Sequence, residues 1–256
     1  MVERMSLLES AMKKFYWFGD SWVVGSELDI EAGSNADRYT FAKLVSDHYQ
    51  AECVNLGLPG TSNDLLPLVL KDNLKDIDPE NDILFFCLTS SARVTMFDNN
   101  KQALTILPSI QDKARRHNEH PYWKEWYKYF DNKNNQIYNY DHTINLMSFW
   151  CKHLKIKFYM LNLFTTVTDS IFDLTSPSDW LLPKDQCLSN FIFPVTDIEF
   201  GGIVIEDRAW LTNDQWTQQQ KAIAQYISPC QNHPNIAGHQ KIANKLIKII
   251  EQLPYK

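Results

Sequence analysis

Phe15-Tyr16-Trp17-Phe18 places four aromatic residues in a row between Lys14 and Gly19. A strand with no polar position in it cannot turn one face to water. It has to be covered on both sides, as the strands of a parallel sheet are. That requirement points to a layered α/β fold with helices on both faces of a sheet. Gly19-Asp20-Ser21 then breaks the strand and leaves Ser21 just past its carboxyl end. In open α/β sheets this is the edge where ligands bind and chemistry is placed. Gly-Asp-Ser is also good turn chemistry, so Ser21 gains meaning only from what other segments bring to the same edge.

The segments that follow supply the rest of such a sheet. Glu27 to Asn35 is rich in Gly and acid and reads as a loop. Asp37 to Gln50 reads as a helix with Phe41, Leu44, Val45 and His48 or Tyr49 on one stripe. His48 on that stripe is read as a core-edge histidine. Glu52 to Leu58 is a second strand, turned over by Leu56-Gly57-Leu58-Pro59-Gly60. Thr61-Ser62-Asn63-Asp64 offers N-caps for a helix carrying Leu66, Val69, Leu70, Leu74 and Ile77, with Pro67 expected to bend its first turns. Ile83 to Leu88 is a continuous apolar strand that ends in Thr89-Ser90-Ser91. Strand–helix units in this sequence predict right-handed crossovers and a strand order of 2-1-3. The expected architecture is a flavodoxin-like, three-layer α/β/α fold with a central parallel sheet of about five strands. Gly60 and Thr89 then flank Ser21 on either side.

Residues 97–140 read as an aromatic-rich insertion, partly helical. Trp123, Trp126, Tyr127 and Phe130 have helical spacing, which suits a packed lid helix or, alternatively, an aromatic surface for a sugar. Asp141 to Lys155 reads as a helix and Ile156 to Phe164 as a fourth strand. Residues 165–232 are long and mixed, with a short apolar run at Gly202 to Ile205. Asn235 to Leu253 closes the chain as an amphipathic helix. No composition break divides the sequence, so residues 1–256 are expected to form one domain, with 1–11 a possible extension.

Composition narrows the function classes. The 256 residues carry a formal charge of −6 and no basic cluster, which argues against a nucleic-acid footprint. Cysteines 53, 87, 151, 187 and 230 form no CxxC and no metal spacing. His117-Asn118-Glu119-His120 lacks a third ligand at a useful spacing, so no metal or cofactor is implied. No GxGxxG or phosphate-loop pattern supports nucleotide binding. The absence of a leader-like apolar segment and of a membrane span suggests a cytoplasmic protein, or a virion-associated one if the Asn/Lys/Ile-rich composition reflects a phage source. Oligomeric state is not legible.

His233-Pro234-Asn235 stands immediately before the last helix, followed by Gly238-His239. A helix that follows its strand in a parallel sheet starts at the strands' carboxyl edge, so His233 belongs on the rim that carries Ser21. A serine and a histidine there are the pair that nucleophilic acyl transfer requires. His239, one turn further on, is expected to pack or pair on the surface.

These segments together resemble the four signature blocks of the SGNH (GDSL) hydrolases, in order and over nearly the whole chain. Gly19-Asp20-Ser21 is similar to the nucleophile block, Asn55 to Thr61 to the second, and His233-Pro234-Asn235 to the last. The resemblance implies a serine ester hydrolase acting on a small acyl ester, with acetylated carbohydrate as the substrate class. It makes Ser21 the nucleophile and His233 the base, and has the Ser21 amide, the Gly60 amide and Thr89 hold the oxyanion. Two positions depart from the pattern. Thr89 replaces the asparagine of the third block, with Ser90 as a second candidate donor. Cys230 stands where the triad aspartate belongs, three residues before His233. The ring of His233 would then be oriented by a main-chain carbonyl of Ser228 to Cys230, or by Asp207, Glu206 or Asp214. Asp20 is expected to bond backbone amides of its own turn. The two departures also motivate the alternative of a non-catalytic binding or assembly module on the same fold.

Overall fold

Alternation along the aromatic strand sets up two half-cores. In the computed structural model, which describes residues 13–89, 93–97, 103–106, 133–163 and 233–252, strand β1 spans Lys14–Gly19. Phe15 and Trp17 face one side of the sheet, while Tyr16 and Phe18 face the other, and all four are buried. Strand β2 is Glu52–Gly57 and β3 is Ile83–Leu88. The last strand of this sheet, β6, is Lys157–Asn162. All pair in parallel in the order β2-β1-β3-β6, so the serine strand is flanked on both sides as expected. A short antiparallel pair, β4 (Val94–Phe97) and β5 (Ala103–Ile106), stands apart from the sheet and is absent from the sequence reading.

Helices cover both faces. α1 (Ser21–Val24), α2 (Leu28–Ala32) and α3 (Phe41–His48) follow β1, and α4 (Leu66–Asn73) follows β2. α5 (Lys133–His153) precedes β6, and α6 (Ile236–Gln252) ends the described chain. Phe41 and Val45 of α3 and Ile242, Leu246 and Ile250 of α6 close over Phe15, Trp17 and Phe85. The Trp17 and Phe85 rings sit opposite each other in register and stack with centroids 4.1 Å apart. On the other face Leu66 and Leu70 of α4, with Ile144, Met147 and Cys151 of α5, cover Tyr16, Phe18, Leu84 and Phe86. This is the three-layer arrangement that the buried strands require.

Several boundaries differ from the sequence reading for identifiable reasons. The acid-rich stretch after Ser21 is not a plain loop: it holds α2 and a 3₁₀ segment, Gly33–Tyr39. α3 starts at Phe41 because the Thr40 side chain accepts from the Lys43 amide at 3.1 Å and caps the helix there. His48 is exposed and lies 3.4 Å from Glu251, leaving Tyr49 as the residue packed against the core. Pro67 sits at the start of α4, where a missing N–H costs nothing. α5 begins at Lys133, well before Asp141; its buried half propagates helix back into an Asn-rich run that shows no apolar stripe. The aromatic stretch 122–130, His117 to His120, residues 1–11 and Gly202 to Ile205 lie outside the described residues. No described helix is long and apolar enough to cross a membrane.

His239 joins α3 to α6. It is fully buried, against the surface role expected for it, and its ring lies over Phe41 with centroids 5.6 Å apart. Nδ1 accepts from the Phe41 amide at 3.1 Å, satisfying one of the donors a helix start leaves open. Burial, reinforced by neighbouring His233, pushes the His239 pKa down to about 3. An unfolded histidine titrates near ~6.5, so below that pH the unfolded chain takes up a proton that the folded one refuses. Stability from this group is therefore complete above about pH 6.5 and is lost toward pH 3, by roughly 1.4 kcal/mol per unit. Urea unfolding at pH 7.5 and 5 should show this loss. His239→Asn, which keeps an acceptor but cannot titrate, should flatten it.

Candidate active site

The serine turn is fixed from below and from both sides. Asp20 is the N-cap of α1, with Oδ1 accepting from the Trp22 amide at 3.0 Å. Gly25, in the left-handed region at φ 79°, ends that single turn by donating to the Ser21 carbonyl. The end of β2 is pressed against it. The Leu58 amide donates to the Gly19 carbonyl at 2.8 Å, and Asn55 Nδ2 donates to the Val23 carbonyl at 2.7 Å. Two glycines permit this approach. A Cβ on Gly57 would lie 2.9 Å from the Val24 nitrogen, and one on Gly19 would lie 2.5 Å from Val23 Cγ2 and 2.9 Å from Cys87 Cβ. Gly60 lies in the turn after β2 at φ 73°, with open space where a side chain would be.

Asp20 does more than cap. Its side chain is fully buried, and Oδ2 accepts from Thr89 Oγ1 at 2.8 Å and from Arg93 Nη1 at 2.7 Å. Arg93 Nη1 also reaches the Thr61 carbonyl at 3.3 Å, so one guanidinium ties the β1 turn to the β2 turn. Asn63 clasps the Thr89 backbone, accepting from its amide at 2.8 Å and donating to its carbonyl at 2.9 Å. Thr89 is thus adjacent to the serine turn, but its hydroxyl is used otherwise than expected. A hydroxyl has a single proton to donate. Here that proton goes to the Asp20 carboxylate, so Thr89 Oγ1 is not an oxyanion donor in this arrangement. Ser90 lies outside the described residues.

His233 arrives at Ser21 from the far end of the chain. Asn235 caps α6, with Oδ1 accepting from the Gly238 amide at 2.8 Å, and Glu31 Oε2 of α2 takes the Ile236 amide at 3.1 Å. These contacts hold the segment before α6 over the serine turn. His233 Nε2 stands 2.9 Å from Ser21 Oγ. At that distance the ring can take the hydroxyl proton if Nε2 is the unprotonated nitrogen. The other nitrogen, Nδ1, lies 3.4 Å from Glu27 Oε1, with both side chains largely covered. Cys230, Asp207, Glu206, Asp214 and the carbonyls of 228–230 lie outside the described residues.

Sequence reasoning thus identified two residues that the fold brings together, Ser21 and His233. It missed Glu27, Arg93 and Asn63. Arg93 and Asn63 were invisible because their roles depend on loop conformations that no periodicity encodes. Glu27 had one weak signal, its position directly after the serine turn. Among the cysteines, burial raises the thiols of Cys53 and Cys87 and pushes Cys151 up to about 12, which leaves these three inert.

If Thr89 serves to hold Asp20, Thr89→Val should cost about 1–3 kcal/mol in urea unfolding, because a buried carboxylate loses a donor. Thr89→Ser should restore most of it. A Thr89→Val protein of undiminished stability but depressed turnover would instead place the hydroxyl on the substrate.

No protein-family model matches the chain, and no curated protein matches its sequence. Among solved structures it is similar to a protein assigned to the lipolytic G-D-S-L family from Desulfitobacterium hafniense DCB-2, at 13% identity and a TM-score of 0.47, covering 92% of this chain and 98% of that one. A member of the same family from Veillonella parvula DSM 2008 gives 13% identity and a TM-score of 0.44, with 94% and 100% covered. A two-domain esterase active on acetylated mannans gives 12% identity and a TM-score of 0.41, with 96% of this chain and 50% of that one covered. The α/β fold assigned to this chain rests on its own strand order and layering.

Proposed function

We propose that this protein is a serine ester hydrolase acting on a small acyl ester, with Ser21 as nucleophile and His233 as general base. The observation that carries the reading is the 2.9 Å contact between Ser21 Oγ and His233 Nε2, made by residues 212 positions apart. Two residues so distant in sequence meet because a strand end and a helix start share one edge of the sheet. In the proposed reaction, Oγ attacks the ester carbonyl carbon as its proton passes to Nε2. The tetrahedral oxyanion is held by the Ser21 and Gly60 amides, donors that need no side chain. The imidazolium returns the proton to the departing alkoxide, and water then releases the acid by the same route in reverse. The alcohol is proposed to be a carbohydrate and the acyl group acetyl, a class that rests on the resemblance of the sequence blocks.

A second reading, a binding module that retains the pocket without turnover, is favoured by one specific observation. The Thr89 hydroxyl is given to Asp20, which leaves the proposed oxyanion site with backbone donors alone. Hydrolysis of a short-chain aryl acetate separates the two. The hydrolase reading expects turnover that falls by at least about 10³ in Ser21→Ala and in His233→Ala, since a serine without its base is a weak nucleophile. Turnover undetectable in the parent would support the binding module, and turnover unchanged in both variants would remove Ser21 and His233 from the reaction.

A further inference from the structure

We propose that Glu27 is the carboxylate partner of His233, supplied from just after the nucleophile's own turn and not from the segment before the histidine. The inference rests on the hydrolase reading above and names the positioning residue of that site.

Three observations converge on it. The first is geometric. Ser21 Oγ, His233 Nε2, His233 Nδ1 and Glu27 Oε1 follow one another at 2.9 Å and, across the ring, 3.4 Å. For Nε2 to accept the serine proton, the neutral ring must carry its hydrogen on Nδ1. That nitrogen is shut off from solvent, and a buried N–H without an acceptor is costly. Among the described residues, Glu27 Oε1 is a carboxylate oxygen within ion-pair range of it.

The second observation concerns burial. Glu27 is only 11% exposed and His233 only 15%. A carboxylate that enters such surroundings is held there by a cationic or hydrogen-bonding partner. The 3.4 Å separation is longer than a well-formed N–H···O bond. Catalytic contacts of this type are commonly loose before substrate arrives and shorten as the ring gains charge.

The third is backbone conformation. Glu27 has φ 72° and ψ −3°, in the left-handed region that residues with a Cβ avoid at a cost of roughly 1–2 kcal/mol. Gly25, two residues earlier, uses a glycine for its own positive φ, whereas position 27 accepts the strain with a long acidic side chain. Non-glycine residues held in this region concentrate at functional sites. Here the left-handed turn between α1 and α2 carries the Glu27 side chain to the His233 ring. The following helix α2 supplies Glu31, which holds the Ile236 amide, so Glu27 and Glu31 both face the histidine segment.

Cys230 can then stand at the usual acid position. With the carboxylate delivered by Glu27, the residue three before His233 is released from that role. Glu27 acts through His233: it fixes the tautomer and steadies the imidazolium.

The test combines steady-state hydrolysis of a short-chain aryl acetate with proton NMR of the whole protein. Glu27→Gln should lower kcat on the order of 10²–10⁴, with KM within about threefold, because tautomer control acts on the transition state. Glu27→Asp should recover at least about tenfold of that loss, since a carboxylate remains within reach after small adjustment. In the parent, a strongly deshielded ring N–H signal that disappears in His233→Ala should be present, and Glu27→Gln should abolish it. A Glu27→Gln protein within about threefold of the parent kcat would overturn the proposal, as would absence of the signal from the parent. The parent spectrum decides even where Glu27→Gln does not fold. If Ser21→Ala loses no activity, the hydrolase reading fails by itself, and the N–H signal still reports whether Glu27 and His233 are paired.

Discussion

Phe15 and Trp17 point to one face of β1 while Tyr16 and Phe18 point to the other, and neither pair can be left to water. Each of these rings removes a large apolar area from solvent, at about 25 cal/mol per Å². Helices must therefore lie on both faces, and β1 must have a neighbour on each edge to satisfy its backbone. β2 and β3 provide the edges; α3 and α6 cover one face, α4 and α5 the other. The place of Ser21 follows from this burial. A serine that ends a central strand sits between two neighbouring strand ends, with the segment before α6 brought over it.

The buried Asp20 carboxylate turns that position into a fixed geometry. An unpaired charge at such a depth would be prohibitive, and Asp20 takes three donors instead: the Trp22 amide, the Thr89 hydroxyl and Arg93. The amide closes the turn itself, while Thr89 and Arg93, which also reaches the Thr61 carbonyl, fasten the serine turn to the ends of β3 and β2. In the proposed hydrolase, a turn fixed in this way would hold Oγ and the backbone amides in place before substrate binds, which is where electrostatic stabilisation is most effective. The cost is borne by Thr89, whose hydroxyl supports the turn and is no longer available to a reacting oxygen.

The parts legible in the sequence were those written in burial patterns. The all-apolar runs 15–18 and 83–88 gave β1 and β3, and the spacing of Ile242, Leu246, Ile249 and Ile250 gave α6. The strand order followed from strand–helix alternation, and from it the meeting of Ser21 with the segment before α6. What escaped was conformational detail at irregular positions. Nothing in the residue types around Glu27 announces a left-handed glutamate, so its acid was read as loop polarity. His239 was read as a surface residue because its partner, the Phe41 amide, becomes available only once Thr40 starts α3 at that point. The partner of His233 was sought before the histidine, among residues that lie outside the described ones, while the described fold places Glu27 Oε1 3.4 Å from Nδ1.

The central claim is that Ser21 is a nucleophile activated by His233, and covalent trapping tests it without knowledge of the natural substrate. A fluorophosphonate reacts only with a serine whose proton is being removed, and mass spectrometry of the digested protein locates the adduct. The account predicts one adduct per chain, on Ser21, and none when His233 is replaced by alanine. An unmodified protein under conditions that label an ordinary serine esterase, or an adduct on any other residue, would contradict it.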